Sequence, residues 1–222
     1  MDVEGYDSHT RPDAGYFPGK AVQEVADMPR QSRNLLVVVL FLIGLPGSHA
    51  VQAEALTTPR AIAGHLLENI DEATWIAEGK GNRIVYIFFD PNCPYCHKLY
   101  EALQPQMAGE DLQLRWIPVG MLTASSQGKA AAILQAGNPL EALRNNEDNF
   151  NFSDNGPGGG ITPASTIKDQ TRLDLAANLS LLQGQNIFSV PVVVFHATDG
   201  QGIMFQGIPE PERLRRLLQF VR

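Results

Sequence analysis

The chain has 222 residues, enough for one full core, and its 44% hydrophobic and 18% charged residues are the balance of a globular protein rather than a disordered one. A formal net charge of -7 weighs against a nucleic-acid partner, because phosphate binding rests on clustered Lys and Arg. The densest basic group, Arg213, Arg215 and Arg216, falls on an expected helix and reads as a solvated face. The 2 cysteines are too few for a disulfide framework and supply half of a four-thiolate zinc site. A lone close pair therefore reads as redox-active, and the sequence implies no metal and no cofactor.

Leu35 to Leu45 is the one continuous apolar run. It is shorter than the roughly 20 residues of a membrane span. It fits the apolar part of a secretory signal, with Arg30 and Arg33 before it and Pro46-Gly47 after it. Small-x-small sites at Ser48-His49-Ala50 and Val51-Gln52-Ala53 place the mature start near Val51 or Glu54. Met1 to Asp27 is acidic and rich in Pro, Gly and Tyr, which suits no signal, so translation is expected to begin at Met28. Residues 1–53 are read as leader and signal sequence, with an uncleaved single-pass anchor as the alternative. Export puts the cysteines in an oxidising compartment, where disulfides persist.

Thr58-Pro59 is a helix start, and Ile62, Leu66, Leu67 and Ile70 recur at helical spacing, which predicts a helix over Pro59 to Glu72. Residues 54–73 are assigned to this linker-like helix and 74–222 to the main domain. Thr74 to Ala77 is a candidate strand before the turn residues Glu78 to Asn82. Ile84 to Phe89 is apolar, β-branched and aromatic throughout, as expected of a strand buried on both faces. A helix is predicted for Cys93 to Met107, a strand for Leu112 to Val119, and helices for Ser125 to Ala136 and Pro139 to Glu147. Asn149 to Gly160 is polar and Gly-rich, a loop. Thr162-Pro163 is read as opening a helix that runs to about Gln183. Val190 to His196 and Gly202 to Gln206 form a hairpin about Thr198-Asp199-Gly200, and Pro209 to Val221 is a closing helix.

Cys93-Pro94-Tyr95-Cys96 follows the buried strand and opens a helix. There the unpaired N–H groups and the positive end of the helix dipole favour a thiolate, and cysteines so placed titrate well below the free value of about 8.5. Cys96 lies one turn on, close enough to close a disulfide. Cys93 is thus the expected nucleophile and Cys96 the resolving thiol. Pro94 fixes φ in the first turn and removes an N–H that has no helical partner. Val190-Pro191 stands directly before an apolar strand, where a proline cannot donate to the ladder and belongs at the strand's start. That order alone fits an ordinary trans proline.

The sequence of elements is that of an α/β thioredoxin fold with a helical insertion. The residues also resemble the periplasmic DsbC and DsbG family of thiol:disulfide interchange proteins. Thr74-Trp75-Ile76 through Cys93-Pro94-Tyr95-Cys96 and Ala130-Ala131-Ala132-Ile133-Leu134 resemble the DsbG side of that family, and His97-Lys98-Leu99 the DsbC side. Val190-Pro191 and Gly207-Ile208-Pro209 fall where the family has its cis-proline and a late Gly-x-Pro turn. The match covers most of Ile70 to Leu218.

The resemblance implies a periplasmic disulfide isomerase or reductase acting on protein disulfides or oxidised cysteines, reset by a membrane reductase of the DsbD type. It implies a cis Pro191 beside the cysteines, with Val190 and Pro191 binding substrate and tuning the potential. Two departures stand out. Val190 replaces the family's usual Thr, as in the oxidase DsbA, so the potential does not carry over. The stretch Ala53 to Asp71 holds only the family's connecting helix, so a monomer without the dimerisation domain is expected.

Two rivals use the same residues. Cys93 to His97 is formally the C-x-x-C-H pattern of c-type haem attachment, and a groove that holds unfolded chains would make the protein a chaperone or peptide-binding module. Asp90 is the carboxylate nearest Cys93, a turn-former by preference over a proton carrier. Gly156 to Gly160 lacks the Gly-Lys-Ser/Thr of a phosphate loop. His65 and His196 have no ligand-like spacing. Trp75, Tyr95 and Phe89 are candidates to line a peptide groove, with core packing equally open for Phe89.

Overall fold

Strand β2, Arg83–Phe89, alternates its side chains between two apolar layers: Val85, Ile87 and Phe89 enter one, Tyr86 and Phe88 the other. This is why the run has no polar position to spare, and it sets the three-layer plan of the molecule. The computed structural model describes residues 58–107, 111–153, 156 and 158–222. The expected leader, signal and cleavage sites lie outside the described residues. Among those described, no helix is long and apolar enough to cross a membrane.

The other strands are β1 (Ile76–Glu78), β3 (Leu112–Pro118), β4 (Val192–His196) and β5 (Gly202–Gln206). The sheet order is β1-β3-β2-β4-β5. Only β2 and β3 run parallel, and the helix that connects them, α2 (Pro94–Met107), crosses one face of the sheet. Leu99, Tyr100 and Leu103 of α2 pack there with Leu214 and Leu218 of the closing helix α6 (Pro211–Gln219). The opposite face is covered by α1 (Pro59–Glu68) and α5 (Asp169–Gln183), through Ala63, Leu66, Leu67, Leu181 and Leu182. The helix assigned as linker-like thus forms part of a layer of the domain. Thr58 Oγ1 caps α1 by accepting from Ala61 N at 3.2 Å, and the helix tightens into a 3-10 turn at Ile70–Glu72.

Two further helices, α3 (Ser126–Leu134) and α4 (Pro139–Asp148), are inserted between β3 and α5. Ile133 and Leu143 carry them into the core shared with α2. The helix predicted to open at Thr162-Pro163 begins instead at Asp169. Residues 161–168 run irregularly along α3, where tertiary bonds replace helical ones. Ala164 N donates to Gly128 O at 2.9 Å, and Lys168 N donates to Gln135 Oε1 at 2.8 Å. A Cβ on Gly128 would stand 2.9 Å from Pro163, so this close approach requires glycine.

Glu78 ties the insertion to the sheet. Its buried carboxylate accepts from Trp116 Nε1 at 2.9 Å and from Arg144 of α4 at 3.0 and 3.2 Å. Glu78→Ala would leave a buried indole N–H without its partner, a loss of about 2–4 kcal/mol. Urea denaturation is expected to show that loss, and a smaller one for Glu78→Gln, whose amide oxygen still accepts from Trp116.

Candidate active site

The chain leaves β2 through Asp90-Pro91-Asn92, and Asp90 shapes that turn. Its Oδ1 accepts from Asn92 N at 2.9 Å and Ser126 Oγ at 2.7 Å, and its Oδ2 from Met121 N at 2.8 Å and Leu122 N at 3.0 Å. Three backbone N–H groups and the Ser126 hydroxyl occupy both oxygens, which is the turn-forming role. The turn delivers Cys93 immediately before the first helical residue, with His97 N donating to Cys93 O at 3.1 Å as the opening bond of α2.

Cys93 therefore caps α2 with sulfur. Its Sγ accepts from the Cys96 N–H at 3.1 Å, the bond that a Ser or Thr oxygen makes at an ordinary helix start. The Cys93 thiol is pulled below its ordinary value, chiefly by the hydrogen bond from the Cys96 thiol. Burial opposes this, the Cys96 and Tyr95 N–H groups add to it, and the Asp90 charge opposes it. Cys96 is pushed well above its ordinary value, first by burial. Both thiols are free. Only 3% of Cys93 and 2% of Cys96 is exposed, whereas Tyr95 between them is 60% exposed.

Val190 meets them from the start of β4, the strand paired with the end of β2. Its carbonyl lies 3.6 Å from Cys93 Sγ, and the bond from Val190 to Pro191 is cis. Cys93, Pro94, Tyr95, Cys96, Val190 and Pro191 are thus gathered at one end of α2. Phe89 is core, edge-on to Trp116 at 5.8 Å. Trp75 stacks over Arg115 at 4.1 Å. Arg115 faces away from Trp116 and toward Tyr86, so Trp75 lies on the sheet face opposite the cysteines. Of the three aromatic groove candidates, only Tyr95 stands beside the pair.

His97, the fifth residue of the haem-like pattern, is drawn into the protein. Its Nδ1 lies 3.1 Å from the buried Glu147 carboxylate and its Nε2 3.5 Å from Glu101. Its ring joins Phe150 and Phe152 in a three-ring cluster, with centroids 4.8 and 5.1 Å from the imidazole and 4.7 Å from each other. With both nitrogens engaged, the imidazole serves packing, which argues against the haem reading. Beyond it a cavity of about 400 Å³ adjoins Asn92 and Pro94, walled by Thr123, Ser125, Phe150 and Phe152. The sequence reading missed this wall, because Phe150 and Phe152 sit in a polar loop with no periodicity to mark them.

Residues 70–222 match the family model described as the thioredoxin-like domain. The chain belongs to that family. It is 31% identical over 159 residues to the thiol:disulfide interchange protein DsbG of Pseudomonas aeruginosa, covering 71% of this chain and 60% of the relative. The Escherichia coli DsbG is 25% identical over 156 residues, with 68% and 59% covered. The match thus spans about three-fifths of the length of these relatives. Among solved structures, a linker-deletion mutant of Proteus mirabilis ScsC superposes with a TM-score of 0.58 at 18% identity, covering 92% of this chain and 97% of that one. The Wolbachia pipientis thiol-disulfide exchange protein alpha-DsbA2 gives a TM-score of 0.53 at 12% identity, over 71% and 94%. These likenesses place the fold, the thioredoxin plan expected from the order of elements.

The Glu147 hydrogen bond, against burial, raises the His97 pKa above its ordinary value of about 6.5. A raised folded-state value means the ion pair stabilises fully below about pH 6.5 and loses that contribution as pH climbs through the folded value. Melting temperature measured from about pH 6 to about pH 9 is expected to fall more steeply in the native protein than in His97→Gln.

Proposed function

We propose that the protein is a thiol:disulfide oxidoreductase of the DsbG kind, a reductase or isomerase of protein disulfides and oxidised cysteines. The observation that carries this is the Cys93 sulfur accepting the Cys96 N–H at 3.1 Å at the mouth of α2, with the two thiols pushed in opposite directions. One sulfur is prepared as an anion and its neighbour is kept as a protonated reserve.

The exchange proceeds in two displacements. The Cys93 thiolate attacks one sulfur of a substrate disulfide, the substrate S–S bond breaks, and the departing thiolate takes a proton from solvent. In the mixed disulfide Cys93 no longer carries charge, so one cause of the raised Cys96 pKa disappears. Cys96 then loses its proton and attacks the Cys93 sulfur, which releases the second substrate thiol. Two electrons pass to the substrate and the Cys93–Cys96 disulfide remains. In isomerase turnover a second substrate thiol resolves the mixed disulfide instead. A membrane reductase of the DsbD type returns the pair to dithiol.

Pro94 and Tyr95 set the approach to the sulfur: Pro94 lines the adjoining cavity and Tyr95 offers an exposed ring to an incoming chain. Val190 and Pro191 border the sulfur on the other side, where the Val190 carbonyl contributes to its polarity. The apolar run Leu35 to Leu45, with its basic flank and small-residue sites, supports export to the periplasm, the compartment in which such chemistry is useful.

The test is a pH titration of thiolate absorbance at 240 nm, with insulin reduction as the activity. Cys93 is expected to titrate below about 8.5, the free-cysteine value. Cys93→Ser should abolish reduction, and Cys96→Ser should accumulate a mixed disulfide that non-reducing gels detect. An ordinary midpoint for Cys93, or full activity in Cys93→Ser, would overturn the proposal.

A further inference from the structure

Lys129, on the inserted helix α3, is only 2% exposed. Its ammonium donates to Asn92 Oδ1 at 2.8 Å and to Gly159 O at 2.6 Å. Asn92 is the residue before Cys93. Its own amide donates to Thr123 Oγ1 at 2.7 Å, Ser125 Oγ at 2.9 Å and Ser126 Oγ at 3.2 Å. Ser126, one turn before Lys129, in turn donates to Asp90. Helix α4 holds the middle of the same turn, with Asn146 Nδ2 donating to Pro91 O at 3.1 Å. The two inserted helices therefore grip Asp90, Pro91 and Asn92, each by a side chain of its own.

Hydrogen bonding alone does not require a charge here. A buried ammonium costs several kcal/mol in desolvation unless an opposite charge offsets it, and a methionine would fill nearly the same volume. One opposite charge that acts on it is Asp90, itself buried. Burial draws the Lys129 pKa down and Asp90 draws it back up. That same carboxylate pushes both cysteines toward the neutral thiol. Asp90 is needed to shape the turn, yet its field acts against the anion the turn delivers.

We propose that Lys129 is a positioning residue for thiol exchange: it anchors Asn92 beneath the nucleophile and balances the Asp90 carboxylate, so that the inserted helix takes part in the reactivity of Cys93. This rests on the reading of Cys93 as nucleophile. In Lys129→Met the turn keeps its Ser126 and Asn146 bonds and loses the ammonium. The Asp90 field on the Cys93 sulfur then loses the counter-charge of Lys129.

The experiment is the 240 nm thiolate titration, with iodoacetamide alkylation rates, on the native protein, Lys129→Met, Lys129→Gln and the double variant Asp90→Asn/Lys129→Met, each checked for folding by circular dichroism. Lys129→Met is expected to raise the Cys93 midpoint by about one pH unit, a tenfold loss of thiolate below the midpoint. The double variant should bring the midpoint back toward the native one. Lys129→Gln keeps a donor for Asn92, so a raised midpoint there assigns the effect to charge. An unchanged midpoint in whichever of the two single variants folds would falsify the proposal. Failure of both to fold would make Lys129 a structural anchor only, and also overturns it. An ordinary midpoint in the native protein defeats the nucleophile reading itself. A low native midpoint with unmoved variants defeats only the role of Lys129.

Discussion

A sulfur atom occupies the place where a helix start ordinarily receives an oxygen, and the rest of the structure is arranged around that substitution. The first N–H groups of α2 have no partner within the helix, and the Cys93 Sγ takes the one offered by Cys96. A serine there would end its role as a cap. A thiol in the same geometry gains acidity, here chiefly from the hydrogen bond of the Cys96 thiol, with the cap bond adding to it. The cap of α2 and the lowered pKa of Cys93 thus share one bond.

The bond is useful only if its sulfur stays in register, and the sheet and the insertion divide that task. Strand β2 is buried on both faces, so its end is a fixed platform. Asp90 turns the chain off that platform and uses both oxygens on backbone and Ser126. From above, α3 and α4 close on the turn through Ser126, Lys129 and Asn146. From the side, Val190 brings a carbonyl to the sulfur. The environment is polar at every point where the turn is held and apolar behind it, where Cys96 is buried. The Cys93 thiol is drawn below its ordinary value, chiefly by the hydrogen bond from the Cys96 thiol, and burial pushes Cys96 above its own.

The insertion also lines the space beside the motif. His97 follows Cys96 directly, but its ring turns to Glu147 of α4 and clusters with Phe150 and Phe152. Those aromatic rings wall the cavity beside Pro94. A residue adjacent to the motif therefore helps to hold the rings that wall this cavity.

The sequence by itself determined what short-range chemistry decides. The alternation in Ile84 to Phe89, the Thr58-Pro59 helix start and the spacing of Cys93 and Cys96 depend on residues within one helical turn or one strand, so their consequences can be read from neighbours. Tertiary structure decided whatever needed partners far along the chain. Residues 161–168 carry a helix-start signal, yet bonds to α3 outweigh it. The Val190 carbonyl reaches a sulfur 97 residues away, and Lys129 reaches Asn92 across 37. Nothing local distinguishes Lys129 from a solvated lysine, because the field that makes it matter exists only once burial has removed water from both Lys129 and Asp90.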